Sequence, residues 1–224
     1  MPAEEEGRCE MSRTDIVREL LDRAGTSYAR RAGIEPADKP APLFQLLMLA
    51  ELLSIRISSE IALRAVRELI ASGYTTPRHV AAADWQDLVD ALGRGHYRRY
   101  DESTATRLGE NSTLLLERYH GDLRRLAKEA DGDPGRLAEL LQQFKGIGPV
   151  GADIFLREIQ DVWTWVRPHF DDRARQGARR LGLPDDPASL DRLSSPGHDA
   201  EFAAALVRVT LDRDLADTVL AAAG

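Results

Sequence analysis

The stretch Phe144–Arg180, FKGIGPVGADIFLREIQDVWTWVRPHFDDRARQGARR, decides how the chain is read. Lys145-Gly146-Ile147-Gly148-Pro149 is a glycine-tight turn between two helical patterns. Upstream, Leu137, Leu140, Leu141 and Phe144 recur at helical spacing, with Asp133 and Pro134 at the cap and first helical positions. Downstream, Pro149 opens a helix whose apolar side carries Ile154, Phe155 and Ile159. Two helices joined this way form a hairpin whose backbone amides can face outward together. A nest of N–H groups beside a helix N-terminus holds a phosphate. The carboxylates Asp171 and Asp172 open a third helix further along the same stretch. Together these features point to chemistry on a DNA backbone or sugar.

Two other readings start from the same residues. Gly146, Gly148 and Gly151 satisfy G-x-G-x-x-G, the dinucleotide-binding fingerprint, but that fingerprint needs a strand before it. A leucine-rich helical pattern stands there instead, with no alternating strand run nearby. The other reading is a glycine cap followed by a new helix, with no ligand at all.

Working outward, the 224 residues suffice for one large domain or two small ones. Hydrophobic content of 43% with 30% charge is that of a globular protein, and no apolar run is long enough to span a membrane. The acidic start, MPAEEEGRCE, is unlike a signal peptide, so a cytoplasmic, nucleoid-associated location is expected. A single cysteine, Cys9, excludes an internal disulfide, a cysteine-rich zinc site and an iron–sulfur cluster. The net charge of -7 argues against a protein that coats nucleic acid generally, while leaving room for a local basic face.

The pattern is all-α. It predicts an amphipathic helix over Ser12–Arg31, a Pro-containing linker over Gly33–Ala41 and a buried central helix over Pro42–Ile57. Further helices are predicted over Glu60–Ser72, after the caps Thr76-Pro77 and Asp84-Trp85, over Asp101–Arg118 and over Asp122–Ala130. Beyond the hairpin, helices are predicted over Asp171–Leu181, His198–Asp212 and Leu215–Ala223, with a turn of helix at Leu190–Leu193.

These residues resemble the helix-hairpin-helix DNA glycosylase superfamily, the group that includes endonuclease III, the adenine glycosylase and the bacterial alkyladenine glycosylases. That family's hairpin reads roughly L-P-G-V-G-x-K-T-A, against F-K-G-I-G-P-V-G-A from Phe144 to Ala152. Its catalytic segment reads roughly V-D-T-H-V-x-R-x-x-x-R-L-G, against F-D-D-R-A-R-Q-G-A-R-R-L-G from Phe170 to Gly182, which puts Asp171 under the family's aspartate. Pro42-Leu43-Phe44 with Leu52-Leu53-Ser54, and Gly95–Arg107, resemble two earlier segments. The resemblance covers about Pro40 to Gly182. It implies a two-lobed fold: a flexible tail at 1–11, a six-helix central domain at 37–165, and a second lobe formed by 12–36 with 166–224.

The departures shape the expected activity. Val150 stands where bifunctional members carry a Schiff-base lysine, so a lyase step is not expected. The family's Thr-His after the aspartate is Asp172-Arg173, and the cysteines of the cluster loop are missing. The resemblance therefore implies a monofunctional glycosylase acting as a monomer on duplex DNA that carries a damaged base. Asp171 or Asp172 would stabilise the oxocarbenium-like sugar and activate water. Lys145, Gly146, Ile147, Gly148, Val150 and Gly151 of the hairpin would contact DNA, with Arg56 filling the gap left by a flipped base. The loop residues Arg94, His96, Tyr97 and Arg98 would lie against the backbone or wedge beside the lesion. Trp163, Trp165, His169 and Phe170 are base-pocket candidates, whose bland alternative is core packing. No metal site is expected apart from a monovalent cation that the resemblance places on the hairpin backbone. Two rival functions remain: a non-catalytic helix-hairpin-helix DNA-binding protein, and a helical protein-interaction domain.

Overall fold

The computed structural model describes residues 12–223, so Cys9 and the expected tail at 1–11 lie outside the described residues. Among the described residues every regular element is helical. No helix there is long and apolar enough to cross a membrane. The chain divides into two compact units, one of residues 27–169 and one built from both ends, up to Thr26 and from Phe170 onward. Residues 27–36 and 166–169, expected in the terminal lobe, belong to the larger unit.

The larger unit is organised around α3 (Pro40–Ser54). Leu43, Phe44, Leu46, Leu47, Met48, Leu49, Ala50 and Leu52 are all buried, because the helix is apolar nearly all round and neighbours cover it on every side. Those neighbours include α4 (Ser59–Ala71), α8 (Leu123–Glu129) and α10 (Pro149–Ile159). Thr76 and Asp84 cap α5 (Pro77–Ala81) and α6 (Trp85–Arg94) through His79 N and Gln86 N, as their side-chain chemistry predicts. Then come α7 (Asp101–Tyr119) and α9 (Pro134–Leu141), the latter capped by Asp133 on Gly135 N at 2.8 Å. The expected six-helix core is thus more finely divided, since short capped helices such as α5 and α8 separate the long ones.

The predicted first helix is broken. α1 (Arg13–Ala24) ends at Gly25, and Ser27 caps a separate α2 (Tyr28–Arg31). Contacts from far along the chain hold each side of the break. Arg208 donates to Ala24 O at 2.6 Å and also to Thr26 O, while Glu158 Oε2 accepts from Ala29 N at 2.8 Å. Burial pushes the Glu158 carboxyl up, against the pull of Arg157 and the α2 amides.

In the terminal unit, α1 packs against α12 (Pro187–Leu193), α13 (Asp199–Leu211) and α14 (Arg213–Ala223), and α11 (Asp172–Arg180) packs against α13. α11 and α13 approach each other closely. A Cβ at Gly177 would sit 2.0 Å from Leu206 O, so only glycine lets these backbones meet.

Candidate functional site

The predicted hairpin is α9, a turn, and α10. The helix before the turn removes the strand that a dinucleotide fold needs. Phe144 and Ile147 are buried and pin the turn to the core. Gly146 has φ +83°, a conformation that disfavours any side chain, and Ile147 N closes the turn on Phe144 O at 3.0 Å. Lys145, Gly146, Gly148, Pro149 and Val150 are exposed. Val150 keeps 47% of its surface exposed in the first turn of α10, a large apolar side chain left in the open.

Gly148 differs from Gly146. Its backbone is extended, at φ -95° and ψ -167°, and a Cβ there would meet nothing within 4 Å. The fold itself therefore has no need of glycine at this position. As the N-cap residue of α10 it offers no side-chain oxygen, so the first amides of that helix lack the usual cap. An uncapped, exposed helix start carries partial positive charge, and its amides are directional donors.

Of the residues expected to touch DNA, three are turned inward. Ile147 is 3% exposed and uses its amide inside the turn. Gly151 is buried, and its missing Cβ lets α10 close on Ile147 and Ser54. Tyr97 is fully buried, with its hydroxyl 3.5 Å from Thr104 Oγ1, and burial pushes its phenol up. It anchors the loop after α6 from below rather than wedging outward. His96, in the left-handed region at φ +63°, and Arg98 are exposed in that loop, as is Arg99. Arg94 is held on its own helix layer by Glu68 at 3.3 Å and Ser72 at 2.7 Å. Arg56 is exposed in the bend between α3 and α4, because α3 ends at Ser54 rather than continuing to Ile57.

The pocket candidates divide between the two units. Trp163 is buried between Phe155 and Trp165, each ring 5.9 Å away, and its indole donates to Asp38 at 2.9 Å. It is core. Trp165 is half-buried, stacked on Trp163. His169 Nε2 lies 3.2 Å from Asp153 Oδ1, and the Gln160 side chain pairs with both backbone groups of His169, at 2.8 and 3.1 Å. Phe170 lies in the other unit, packed edge-on against Phe202 at 5.7 Å.

The two carboxylates have different settings. Asp171 is the N-cap of α11, and its Oδ1 accepts from Ala174 N at 2.9 Å. That bond fixes the direction of the carboxyl group. The Asp172 side chain is 98% exposed and stands 3.4 Å from Arg175. The cap divides the pair: Asp171 turns back over the helix start, and Asp172 follows the helix outward.

The sequence motifs omitted two residues behind the turn, Glu51 and Asn111. Glu51, 1% exposed in the apolar helix α3, accepts from Arg107 Nε at 3.2 Å and from Asn111 Nδ2 at 3.0 Å. Burial raises the Glu51 pKa to about 7, against the lowering effect of Arg107 and Asn111. Asn111 pairs with both backbone groups of Lys145. The signal was visible, since Glu51 is the one acidic residue in an otherwise apolar run.

On the hairpin backbone, where the resemblance places a monovalent cation, Phe144 O, Lys145 O, Gly146 O and Gly148 O each accept a protein hydrogen bond and keep a second lone pair. Among the described residues no group of three or more His, Cys, Asp or Glu could hold a metal ion.

The arrangement defines an all-helical, two-unit protein with a helix-hairpin-helix. No protein-family model and no curated protein matches the chain. Among solved structures it is similar to a trapped endonuclease III–DNA covalent intermediate, at 16% identity over 89% of this chain and 86% of that one, with a TM-score of 0.47. A non-covalent endonuclease III–DNA complex matches over the same shares at 16% identity, with a TM-score of 0.48.

Proposed function

We propose that the chain is a DNA glycosylase, acting as a monomer, that excises a damaged base from duplex DNA without a lyase step. The observation that carries the proposal is the start of α10. It combines an uncapped first turn, an exposed surface, and a glycine at 148 for which the fold has no internal use. Close approach of a ligand's backbone explains that glycine, and outward amides with partial positive charge suit a phosphate. Lys145 adds a cation at the turn's edge, and Arg56, His96 and Arg98 supply further exposed contacts on the same unit.

Asp171 takes the chemical role. As the bond between base and sugar breaks, the base leaves with the bonding pair and positive charge develops on the sugar ring. A carboxylate of fixed direction stabilises that charge, and it takes a proton from the water that bonds to C1′. With Val150 in place of an amine, no Schiff base forms and the product is an abasic site. No cofactor is needed. Asp172, exposed and helix-borne, has no part in this chemistry.

Base release from duplexes carrying single lesions, wild type beside Asp171→Asn, tests the proposal, with abasic sites revealed by alkali. Release of one base class, lost in the variant and without strand cleavage before alkali, is expected. Salt-dependent duplex binding with no release from any lesion would leave the second reading, a non-catalytic DNA-binding protein. The cap role of Asp171, which by itself accounts for an aspartate at that position, favours that reading.

A further inference from the structure

Beneath the exposed face of the hairpin lies a buried polar cluster centred on Asn111 and Glu51, which the motifs leave out. Asn111 of α7 is 3% exposed. Its Oδ1 accepts from Lys145 N at 2.7 Å, and its Nδ2 donates to Lys145 O at 2.8 Å and to Glu51 Oε2 at 3.0 Å. Both amide hydrogens and the amide oxygen are therefore assigned. Rotating the amide by half a turn would aim donor at donor on Lys145 N and oxygen at oxygen on Lys145 O and Glu51. The other Glu51 oxygen accepts from Arg107 Nε at 3.2 Å, and Arg107 Nη2 continues to Thr104 Oγ1 at 3.0 Å. One residue further along the turn, the single Ser54 hydroxyl proton is shared between Glu51 O at 2.7 Å and Gly146 O at 3.1 Å. Glu110, beside Asn111, holds Lys145 Nζ at 2.7 Å, so α7 grips Lys145 at its backbone and its side-chain tip.

We propose that Asn111 and Glu51 are positioning residues for the hairpin. Asn111 fixes the peptide planes on either side of Lys145, and Glu51 keeps the Asn111 amide from turning over. The direction of the outward amides at Gly148 and in the first turn of α10 is set by this clamp. The functional consequence, tighter phosphate binding, rests on the hairpin reading above.

A core that needed only stability gains little from this arrangement. An ionised carboxylate and an amide buried together cost desolvation that apolar side chains of the same volume avoid. What the polar cluster adds is direction, because each bond specifies one orientation of one peptide group.

The test uses the full chain with Asn111→Leu, which keeps the volume and removes the bonds, and Glu51→Gln, which sets a donor against a donor. Leu69→Ala, in the buried face of α4, serves as a control of comparable melting-temperature loss. Two readouts are taken below the melting transition of all three variants. They are deuterium exchange at Ile147 and Ala152, whose amides are bonded to Phe144 O and Gly148 O at 3.0 Å, and affinity for an undamaged duplex at low salt. Exchange at the hairpin faster by about tenfold, with duplex affinity weaker by about tenfold, is expected in Asn111→Leu, the effect of losing one well-formed hydrogen bond. Glu51→Gln follows in the same direction, and Leu69→Ala matches wild type in both readouts. Hairpin exchange in Asn111→Leu and Glu51→Gln no faster than in Leu69→Ala would overturn the proposal. Faster exchange in a protein whose wild type has no duplex affinity would uphold the positioning role and overturn the phosphate reading instead.

Discussion

Two helices of this chain begin within one stretch of sequence, and they begin in opposite ways. α10 starts at Gly148, with no side chain over its first amides and open space where a Cβ would stand. α11 starts at Asp171, whose carboxylate folds back onto Ala174 N. The first helix presents its positive end outward, and the second covers its positive end with a negative group. The same backbone physics therefore yields an anion-seeking surface in one place and an anchored carboxylate in the other. Under the glycosylase proposal, the first would hold the DNA strand and the second would face the developing charge on the sugar.

The sharpest way to break this comparison is at α11. Asparagine caps a helix about as well as aspartate, so Asp171→Asn should leave the melting temperature within about 2 °C of wild type. Base release should fall by about 10²–10⁴ in the same variant. Loss of stability without loss of release would make Asp171 a cap and nothing more.

The next effect concerns the support beneath α10, which contains a buried titrating group. Glu51 shifts from 4.5 to about 7 on folding, so the folded state holds its proton more tightly than the unfolded state. Its contribution to stability is fully present below pH 4.5 and is lost as pH rises through 7. At higher pH the loss amounts to about 3 kcal/mol. Melting temperatures of wild type and Glu51→Gln, taken from pH 5 to pH 8, should converge as pH rises, because the variant has no such slope. A constant gap between the two curves would remove the buried charge from beneath the hairpin.

A smaller effect separates the two turn glycines. Gly146→Ala should cost about 1–2 kcal/mol, since φ is +83° and its Cβ would meet Arg107 and Glu51 at 3.1–3.3 Å. Gly148→Ala should cost less, about 0.5 kcal/mol, because alanine is a poorer N-cap than glycine, yet weaken duplex binding several-fold. Equal stability losses in the two variants would show that the fold, rather than a ligand, asks for glycine at 148. The smallest effect is at Asp172. Asp172→Asn should change base release by less than about twofold, because its exposed side chain keeps only a surface contact with Arg175.

Local chemistry made much of this legible. The caps at Thr76, Asp84, Asp133 and Asp171 announce helix starts because a side-chain oxygen and a backbone amide a few residues away suffice to make them. The hairpin was legible for the same reason. The break at Gly25-Thr26-Ser27 was not, although a glycine and a capping serine stand there, because the helical periodicity runs across it. Arg208 and Glu158, far away in the chain, supply the bonds that hold each side. The aromatic residues misled in one direction. Tyr97, Trp163 and Phe170 sit among basic or acidic neighbours that suggest a surface, yet each is buried, because a ring gains more from the core than its neighbours lose by staying outside.

The sequence by itself determined the all-helical class, the hairpin and the capped start of α11, since each follows from periodicity or from bonds between near neighbours. Only the tertiary structure decided that Ile147 and Tyr97 point inward, that Gly148 has no use within the fold, and that Glu51 and Asn111 stand behind the turn. Those facts depend on which distant side chain fills a given space and which distant donor meets a given oxygen. Periodicity and near-neighbour bonds carry no record of either.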